Sequence, residues 1–380
     1  MRKLLIFLMA AALTVGCQKD DTDFSDFING SSTPPSESSS NAISIVYSGT
    51  SVTVTGDTKG YVTTDGAHVT VNTGTATDSL LLVLSGSTTD GSLLVYRQAK
   101  FGIQLNGVSI HHANGPAINN QCGKALYLHV TGGTNNTLTD GTTYTEQTFD
   151  QKGALFSEGE IFFLGTGELN VTGNCRHAIA CDDYISIDEG LTLHATSTTG
   201  NGIKVNDGLW INDGTLDISV TADAARGIKS DSVVVVTGGT TTIATTGNCL
   251  YDSEQDDYSS AACVKCDYDF TMTGGTLTMT SSGDGGKGIN SSTSVTFKGG
   301  TLSAITTGDN DYGKPKAVKA VTGITVSGGS FYAKVGKSWA CDSGYGDDDT
   351  PDDERLAHCV TVIGSPAINT ITKKNVQITF

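Results

Sequence analysis

A short apolar motif recurs along the second half of the chain. It is centred on an Ile or Val at residues 179, 203, 228, 264, 289 and 318. Six residues later a second apolar run begins in every unit, at Ile185, Leu209, Val234, Phe270, Val295 and Ile324. Successive units are 24 or 25 residues apart, except for two longer intervals of 36 and 29 residues. A turn that contains Gly follows the second run, and another alternating strand comes after the turn.

Repeats of roughly 25 residues with three short strands, and no helical periodicity, predict an all-β fold. The specific prediction is a single-domain right-handed parallel β-helix, a solenoid whose coils stack at about 4.8 Å. Leucine-rich repeats have a similar length but need a Leu-rich consensus, which these repeats lack. Alternating apolar runs upstream, such as those at 52–54 and 93–96, extend the predicted solenoid over residues 42–380.

The first residues predict export and lipid anchoring. Residues 1–16 have a short basic start and an apolar run that is too brief for a membrane span of about 20 residues. The end of this segment and Cys17 resemble a bacterial lipoprotein signal, in which the Cys becomes the lipidated first residue. Residues 17–41 then form a flexible tether rich in Ser, Pro and Asp. Residues 18–21 resemble a tag for the outer face of the cell, or form a charged linker, so we expect an outer-membrane protein that faces the exterior.

Composition narrows the choice of partners. The chain has 23 Lys and Arg against 40 Asp and Glu, a formal net charge of −17. This balance excludes a nucleic-acid-binding protein, because a phosphate backbone is held by clustered basic residues. The 47 Gly residues follow no strict three-residue period, which excludes collagen.

Side chains alternate along a strand, so the register predicts which residues face outward. One outward column contains Lys204, Lys229 and Lys265, and the adjacent column contains carboxylates. The carboxylates are Asp182, Asp231 and Asp267, with Asp183 and Asp207 beside them. The two columns either pair with each other as a ladder of ions, or the carboxylates bind Ca²⁺, which takes 6 to 8 oxygen ligands. The acidic insertion at 252–257 favours calcium.

Other residues give weaker signals. Cys249 and Cys263 bracket the acidic insertion, and Cys341 and Cys359 bracket a second acidic loop at 347–354 that we expect to be solvated. In an exported chain each pair is expected to form a disulfide. Trp210 is expected to point outward, where it either stacks on a sugar ring or packs beneath the insertion. The seven His residues show no ligand spacing.

The stretch from 152 to 322 carries Gly-Ile-Lys units, Gly-Gly-Thr turns and the step Cys181-Asp182-Asp183. It resembles the carbohydrate-binding right-handed β-helix proteins that are related in shape to pectate lyases. The resemblance implies Ca²⁺ binding, association with polygalacturonate and cellulose, and no established catalytic activity. It also implies calcium ligation by Asp182, Asp183, Asp207, Asp231 and Asp267. We therefore expect a surface lipoprotein that binds polysaccharide without cleaving it, through Lys204, Lys229, Lys265 and Trp210.

Two other classes of function stay open. Asp182-Asp183 and the segment 226–229 are similar to motifs of polygalacturonases, but Gly227 interrupts the basic motif and the Gly-His-Gly of those enzymes is missing. A pectate-lyase-like reaction needs Ca²⁺ and a positioned base, for which Arg226 is the candidate. A surface adhesin that binds protein also fits a tethered solenoid.

Overall fold

The computed structural model describes residues 42–309, 312–346 and 350–380. The predicted signal peptide at 1–16, the lipidation site Cys17 and the tether to residue 41 lie outside the described residues. Within these ranges no helix is long and apolar enough to cross a membrane.

The residues that the structure describes form short strands almost throughout. The first thirteen are β1 (Ala42–Ser48), β2 (Ser51–Thr55), β3 (Val62–Asp65), β4 (His68–Asn72), β5 (Leu81–Thr88), β6 (Ser92–Tyr96), β7 (Phe101–His112), β8 (Ile118–Asn120), β9 (Leu126–Val130), β10 (Asn135–Asp140), β11 (Gly153–Ser157), β12 (Ile161–Gly165) and β13 (Glu168–Gly173). The next twelve are β14 (His177–Cys181), β15 (Tyr184–Ile187), β16 (Thr192–Ser197), β17 (Ile203–Val205), β18 (Gly208–Ile211), β19 (Thr215–Val220), β20 (Arg226–Ser230), β21 (Val234–Val236), β22 (Thr240–Thr245), β23 (Leu250–Asp252), β24 (Asp257–Ser259) and β25 (Ala262–Cys266). The remainder are β26 (Phe270–Met272), β27 (Thr276–Ser281), β28 (Lys287–Ser291), β29 (Ser294–Phe297), β30 (Thr301–Thr306), β31 (Lys316–Ala320), β32 (Gly323–Val326), β33 (Ser330–Val335), β34 (Trp339–Asp342), β35 (Val360–Val362), β36 (Ala367–Thr372) and β37 (Asn375–Thr379), with one helix, α1 (Asp352–Cys359), before β35.

Three ladders of mostly parallel strands make up the solenoid. The first ladder is a 12-stranded sheet in the order β3-β4-β6-β8-β11-β14-β17-β20-β25-β28-β31-β34. The second ladder runs from β9 through β12, β15, β18, β21, β26, β29 and β32 to β35, and the third from β10 through β13, β16, β19, β22, β27 and β30 to β33. The predicted parallel β-solenoid is therefore confirmed, with about 11 turns of about 25 residues.

Aliphatic side chains stack in columns along the inside of the solenoid. The motif residues Ile179, Ile203, Ile228, Val264, Ile289 and Val318 occupy equivalent positions on successive strands of the first ladder. Each of them is at most 1% exposed. The second predicted column, from Ile185 to Ile324, aligns in the same way on the second ladder. Each such side chain stabilises the fold by about 1.5–3 kcal/mol, and burial requires the coils on either side.

Antiparallel pairs occur at both ends of the solenoid. At the N-terminal end β1 pairs with β2, and β3 pairs with β4. At the C-terminal end β37 pairs with β33 and with β36.

The second acidic loop is partly helical. Residues 347–349 lie outside the described residues, whereas residues 352–354 are exposed, as expected, but form the first turn of α1. That turn contains Asp352, Asp353 and Glu354, whose negative charges are stabilised near the unpaired N–H groups of a helix N-terminus. Leu356 is buried and ties the helix to the end of the solenoid. A helix of one or two turns leaves too short a periodic pattern to be recognised in the sequence.

Replacing Gly283 by Ala is expected to lower the thermal unfolding midpoint. Gly283 lies against the coil before it, and a Cβ at this position would be 1.9 Å from the carbonyl oxygen of Gly247. The backbone must shift to relieve this contact, at a cost of about 1–3 kcal/mol. The matched control is Gly123→Ala, because no atom lies within 4 Å of a Cβ there. Equal midpoints for the two variants would contradict the tight stacking.

Candidate functional site

A row of ion pairs runs along the outward face of the first ladder. Lys204 Nζ lies 2.5 Å from an Asp231 carboxylate oxygen, and Lys229 Nζ lies 2.7 Å from the other. Lys229 also lies 2.6 Å from Asp267, whose second oxygen is 3.0 Å from Lys265. These five residues, here called the ion-pair row, confirm the predicted outward columns. Each carboxylate is shared by two ammonium groups from neighbouring coils.

The lysines control the ionisation of both carboxylates. Burial alone would raise the pKa of Asp231, but hydrogen bonds from Lys204 and Lys229 outweigh it and the pKa is lowered. The pKa of Asp267 is lowered in the same way, by Lys229 and Lys265 against the effect of burial. The structure thus adopts the ion-pair arrangement at these two carboxylates, and calcium binding there would require the ammonium groups to move away.

Asp182 lies in a different environment from Asp231 and Asp267. Its carboxylate, that of Asp150 and that of Glu158 offer oxygens within 4.8 Å of one another. Lys152 pairs with Asp182 and lies 2.6 Å from Asp150. Burial raises the pKa of Glu158, and the charge of Asp182 raises it further. We call Asp150, Glu158 and Asp182 the carboxylate cluster.

Sequence analysis missed Asp150 and Glu158. The signal for Glu158 was present, because Ser157 pairs with Cys181 and Glu158 therefore occupies the position of Asp182 one coil earlier. Extending the repeat frame back by one coil would have found it. Asp150 lies in the connection before β11, where the repeat gives no register.

The other two predicted calcium ligands are Asp183, directly after Asp182, and Asp207, which occupies the equivalent position one coil later. Asp183 Oδ1 accepts a hydrogen bond from the backbone N–H of Tyr184 at 2.9 Å. Burial raises the pKa of Asp183, and the charges of Glu160 and Asp207 add to the effect. Asp207 is exposed, and its backbone N–H donates to the Asp183 carbonyl at 3.0 Å. The carboxylates of Asp183 and Asp207 therefore repel each other, whereas lysines offset the repulsion between Asp231 and Asp267 in the ion-pair row.

The acidic insertion forms a hairpin of β23 and β24. Its carboxylates were expected near Asp231 and Asp267, but Asp252 Oδ1 accepts hydrogen bonds from the backbone N–H groups of Glu254 and Gln255 in the same turn. Arg226, the base considered for a lyase, donates from Nη2 to Ser259 Oγ at 2.8 Å, at the base of the hairpin. Burial lowers the pKa of this guanidinium. The insertion thus uses its polar groups to hold its own conformation.

Trp210 points outward between the buried Leu209 and Ile211, as predicted. Its ring forms an edge-to-face contact with Tyr184, with 5.5 Å between the ring centroids. Phe162 contacts Tyr184 at 5.5 Å and stacks on Tyr127 at 5.0 Å. Together Tyr127, Phe162, Tyr184 and Trp210 form an aromatic row on the second ladder. Trp210 therefore packs against Tyr184 of this row. Tyr127 and Phe162 were missed because their coils precede the recognised repeat, whereas Tyr184 lies in its first unit and was not singled out.

A cleft of about 410 Å³ opens on the outward face of the first ladder, near its N-terminal end. Its lining includes Thr70, Leu94, Asn119, Phe149 and Gln151, a mixture of amide, hydroxyl and aromatic groups. Three of these residues belong to the same register column as the lysines, which runs Thr70, Leu94, Asn119, Phe156, Ala180, Lys204. The segment 141–152 crosses the face after the cleft, where the Asp150 carbonyl accepts a hydrogen bond from the Asn119 side chain at 3.0 Å.

The eight cysteines that the structure describes are free thiols. Neither predicted disulfide, Cys249–Cys263 or Cys341–Cys359, is formed in the structure, and both stay predictions. Cys249 packs beside Gly285, where a Cβ would lie 2.8 Å from its sulfur, whereas Cys263 is fully buried with its sulfur 3.6 Å from the Ile243 carbonyl.

The second predicted pair differs from the first. Cys341 and Cys359 are both buried. Burial raises the pKa of the Cys341 thiol well above its usual value, and the nearby Cys359 thiol adds to the effect. The disulfide between these two residues stays a prediction.

The chain is similar to a known family of proteins. The family of carbohydrate-binding domain-containing proteins matches residues 65–226 and 218–313, which together span more than half of the chain. The chain therefore belongs to this family.

Among solved structures, the polysaccharide lyase-like protein from C. thermocellum, determined as a gadolinium derivative, is similar to this chain. The TM-score is 0.55 at 22% identity, over 69% of this chain and 100% of that one. At this identity the likeness supports the fold. No curated protein matches the chain significantly.

The double variant Asp231→Asn/Asp267→Asn is expected to be less stable than the wild type at pH 7. A lowered pKa in the folded state contributes stability above the unfolded value of about 3.9, and this stability is lost as the pH falls through the lowered pKa. The wild type should therefore lose its advantage as the pH falls below about 4. Each pair should contribute less than about 1 kcal/mol, because the carboxylates are 44% and 41% exposed. Thermal unfolding across this pH range, in chelator, measures the effect.

Asp183→Asn is the control with the opposite sign. The pKa of Asp183 is raised in the folded state, so its ionised form destabilises the fold at neutral pH. This variant should be slightly more stable than the wild type at pH 7, and the gain should vanish below about pH 4. The same pH dependence in both variants would contradict the electrostatic assignment.

Proposed function

We propose that the protein binds an acidic polysaccharide such as polygalacturonate, with assistance from calcium and without cleaving it, as a lipid-anchored protein of the cell surface. Membership of the carbohydrate-binding family supports the general class of ligand. The ion-pair row is the observation that carries the choice of an acidic glycan. It repeats one ammonium group per coil, in a chain whose net charge of −17 would otherwise repel a polyuronate.

The ion-pair row has a local excess of positive charge. Three ammonium groups share two carboxylates, so the ends of the row at Lys204 and Lys265 each contact only one of the two Asp residues. A uronate carboxylate can accept hydrogen bonds from these groups as Asp231 and Asp267 do. The coil spacing of about 4.8 Å is close to the rise of one sugar unit, so successive uronates would meet equivalent lysines. Each contact is exposed and therefore weak and dependent on salt.

The proposed calcium ion binds at the carboxylate cluster. Its three oxygen ligands lie within 4.8 Å of one another, and a uronate carboxylate and water would complete the set of oxygens that Ca²⁺ needs. Lys152 offsets part of the negative charge of the cluster when no cation is bound, and its flexible side chain can turn away. Asp183 comes directly after Asp182, and Asp207 occupies the position equivalent to Asp183 on the next coil. Among the five predicted ligands, these two and Asp182 have no lysine of the ion-pair row as a partner among the contacts described above.

The aromatic row supports binding of neutral glucan chains such as cellulose as a secondary activity. Tyr184 and Trp210 are partly exposed, and aromatic rings pack against the apolar faces of sugar rings. Phe162 and Tyr127 cover each other's ring faces, so Tyr184 and Trp210 would provide most of the contact.

The triple variant Lys204→Gln/Lys229→Gln/Lys265→Gln should bind immobilised polygalacturonate about tenfold more weakly, since each exposed pair contributes about 0.2–1 kcal/mol. The matched control is Lys298→Gln/Lys334→Gln/Lys374→Gln, which removes the same charge from exposed positions elsewhere. Binding is measured with calcium, with EDTA and against a neutral polysaccharide.

Equal loss of binding in both triple variants would contradict the proposed site, and binding unaffected by EDTA would show that calcium has no part in it. Steady release of 4,5-unsaturated uronate would reveal a lyase, and binding to protein alone an adhesin.

Replacing Cys17 by Ala should move the protein from the membrane fraction to the soluble fraction of the cell, because several acyl chains are needed for stable anchoring. Cys175→Ala is the control, since Cys175 is a free, partly buried thiol of the solenoid and should leave the protein in the membrane fraction. Immunoblotting of the two fractions measures the distribution. A Cys17 variant that stays with the membrane would contradict lipidation.

A further inference from the structure

Two histidines and an aspartate meet at the wall of the cleft. His68 begins β4, Asp90 lies between β5 and β6, and His112 ends β7. The three residues are one coil apart, at the same corner of three consecutive coils. The β4 and β6 strands hold this corner together, because His68 pairs with Ser92. Their positions are thus fixed by the backbone ladder of the solenoid.

The potential ligand atoms of these three side chains converge. One nitrogen or oxygen from each of His68, Asp90 and His112 lies within 4.8 Å of those of the other two. His68 Nε2 is 3.9 Å from Asp90 Oδ1, and the two imidazole rings have centroids 4.9 Å apart. Asp90 is held in place by the backbone N–H of Ala113, which donates to Oδ1 at 3.1 Å. Small rotations of the side chains bring three such atoms to metal-ligand distances of about 2.0–2.2 Å from one centre.

Hydrogen bonds on the far side of the rings define which nitrogens are available. His112 Nδ1 lies 2.8 Å from the carbonyl oxygen of Pro116. A carbonyl oxygen can only accept, so Nδ1 carries the proton and Nε2 of the neutral ring keeps its lone pair. His68 Nδ1 similarly contacts Ser92 Oγ at 3.1 Å, which leaves Nε2 towards Asp90. In metal-binding histidines, the ring nitrogen that does not bind the metal usually forms such a hydrogen bond, which fixes the orientation of the ring.

The protein also fixes the His112 ring by close packing. A Cβ at residue 115 would lie 2.6 Å from Cε1 of this ring, so the ring occupies space that only a glycine at this position leaves open. The ring is thus held from behind by Gly115 and through Nδ1 by Pro116. An ordered ring needs less rearrangement to bind an ion.

We propose that His68, Asp90 and His112 form a binding site for a divalent transition metal of the Zn²⁺ class. Two imidazole nitrogens and one carboxylate oxygen match the preference of Zn²⁺, whereas Ca²⁺ prefers oxygen ligands throughout. All three residues line the cleft, so the remaining coordination position opens towards it and accepts water or a ligand oxygen. The site is separate from the ion-pair row and from the carboxylate cluster and does not depend on the proposed function.

Metals are first removed from the full chain with chelator, and excess Ca²⁺ is then added to fill the oxygen-ligand sites. Calorimetric titration of this protein with Zn²⁺ should show one site per chain. His112→Asn should weaken this binding at least tenfold, because the Asn amide can still donate to Pro116 but the Nε2 ligand is gone. Asp90→Asn should also weaken it while keeping the acceptor for the Ala113 N–H. The thermal midpoints of the metal-free variants check that the fold is intact.

His194→Asn is the matched control. His194 lies between two carboxylates on the third ladder, 4.0 Å from Glu168 and 3.6 Å from Asp217, but through different ring nitrogens. This variant should bind Zn²⁺ with unchanged affinity. Titration with Co²⁺ should give a visible spectrum without thiolate charge-transfer bands, which excludes the free cysteines as ligands. No Zn²⁺ binding by the wild type, or equal binding by wild type and His112→Asn, would overturn the proposal.

Discussion

Parallel hydrogen bonding between successive coils is the constraint from which the other features follow. Each coil places its strands in register with those of the coil before, so a residue and its equivalent lie about 4.8 Å apart. The inward columns, such as Ile203 beside Ile228, use this repetition to build a continuous core. The outward columns must obey the same repetition, whether or not their side chains attract each other.

Repetition of charged side chains has an electrostatic cost, which the chain meets in two ways. Like charges one coil apart repel by about 1–3 kcal/mol at the effective dielectric constants of a protein surface. In the ion-pair row the Lys and Asp columns lie side by side, so that each repulsion is offset and the pKa of Asp231 falls. Around Glu158 and Asp183, burial raises the carboxyl pKa values, and neighbouring acidic groups raise them further. The acidic region is therefore where the outer surface gains most from a cation.

The repeat explains how much the sequence could predict. The interval of 24 or 25 residues determined the solenoid, its inward columns and the outward direction of Lys229 and Trp210. Outside the regular interval the sequence did not predict the hairpin of β23 and β24 or helix α1, because both form in connections between strands that the period does not describe. His68 and His112 escaped notice because the recognised motif begins only at Ile179, so that their shared corner is visible only once the upstream strands are aligned.

The antiparallel strands at the two ends have a consequence for assembly. A parallel solenoid ends in a row of unpaired N–H and C=O groups, which is a template for another copy of the chain. Here β2 folds back on β1 at one end, and β37 covers β33 at the other. An incoming coil of the same chain would have to run parallel, and at these edges it would meet a strand of the opposite direction. The reversal of the chain at both ends thus opposes growth into fibrils and keeps a repetitive, β-rich molecule finite.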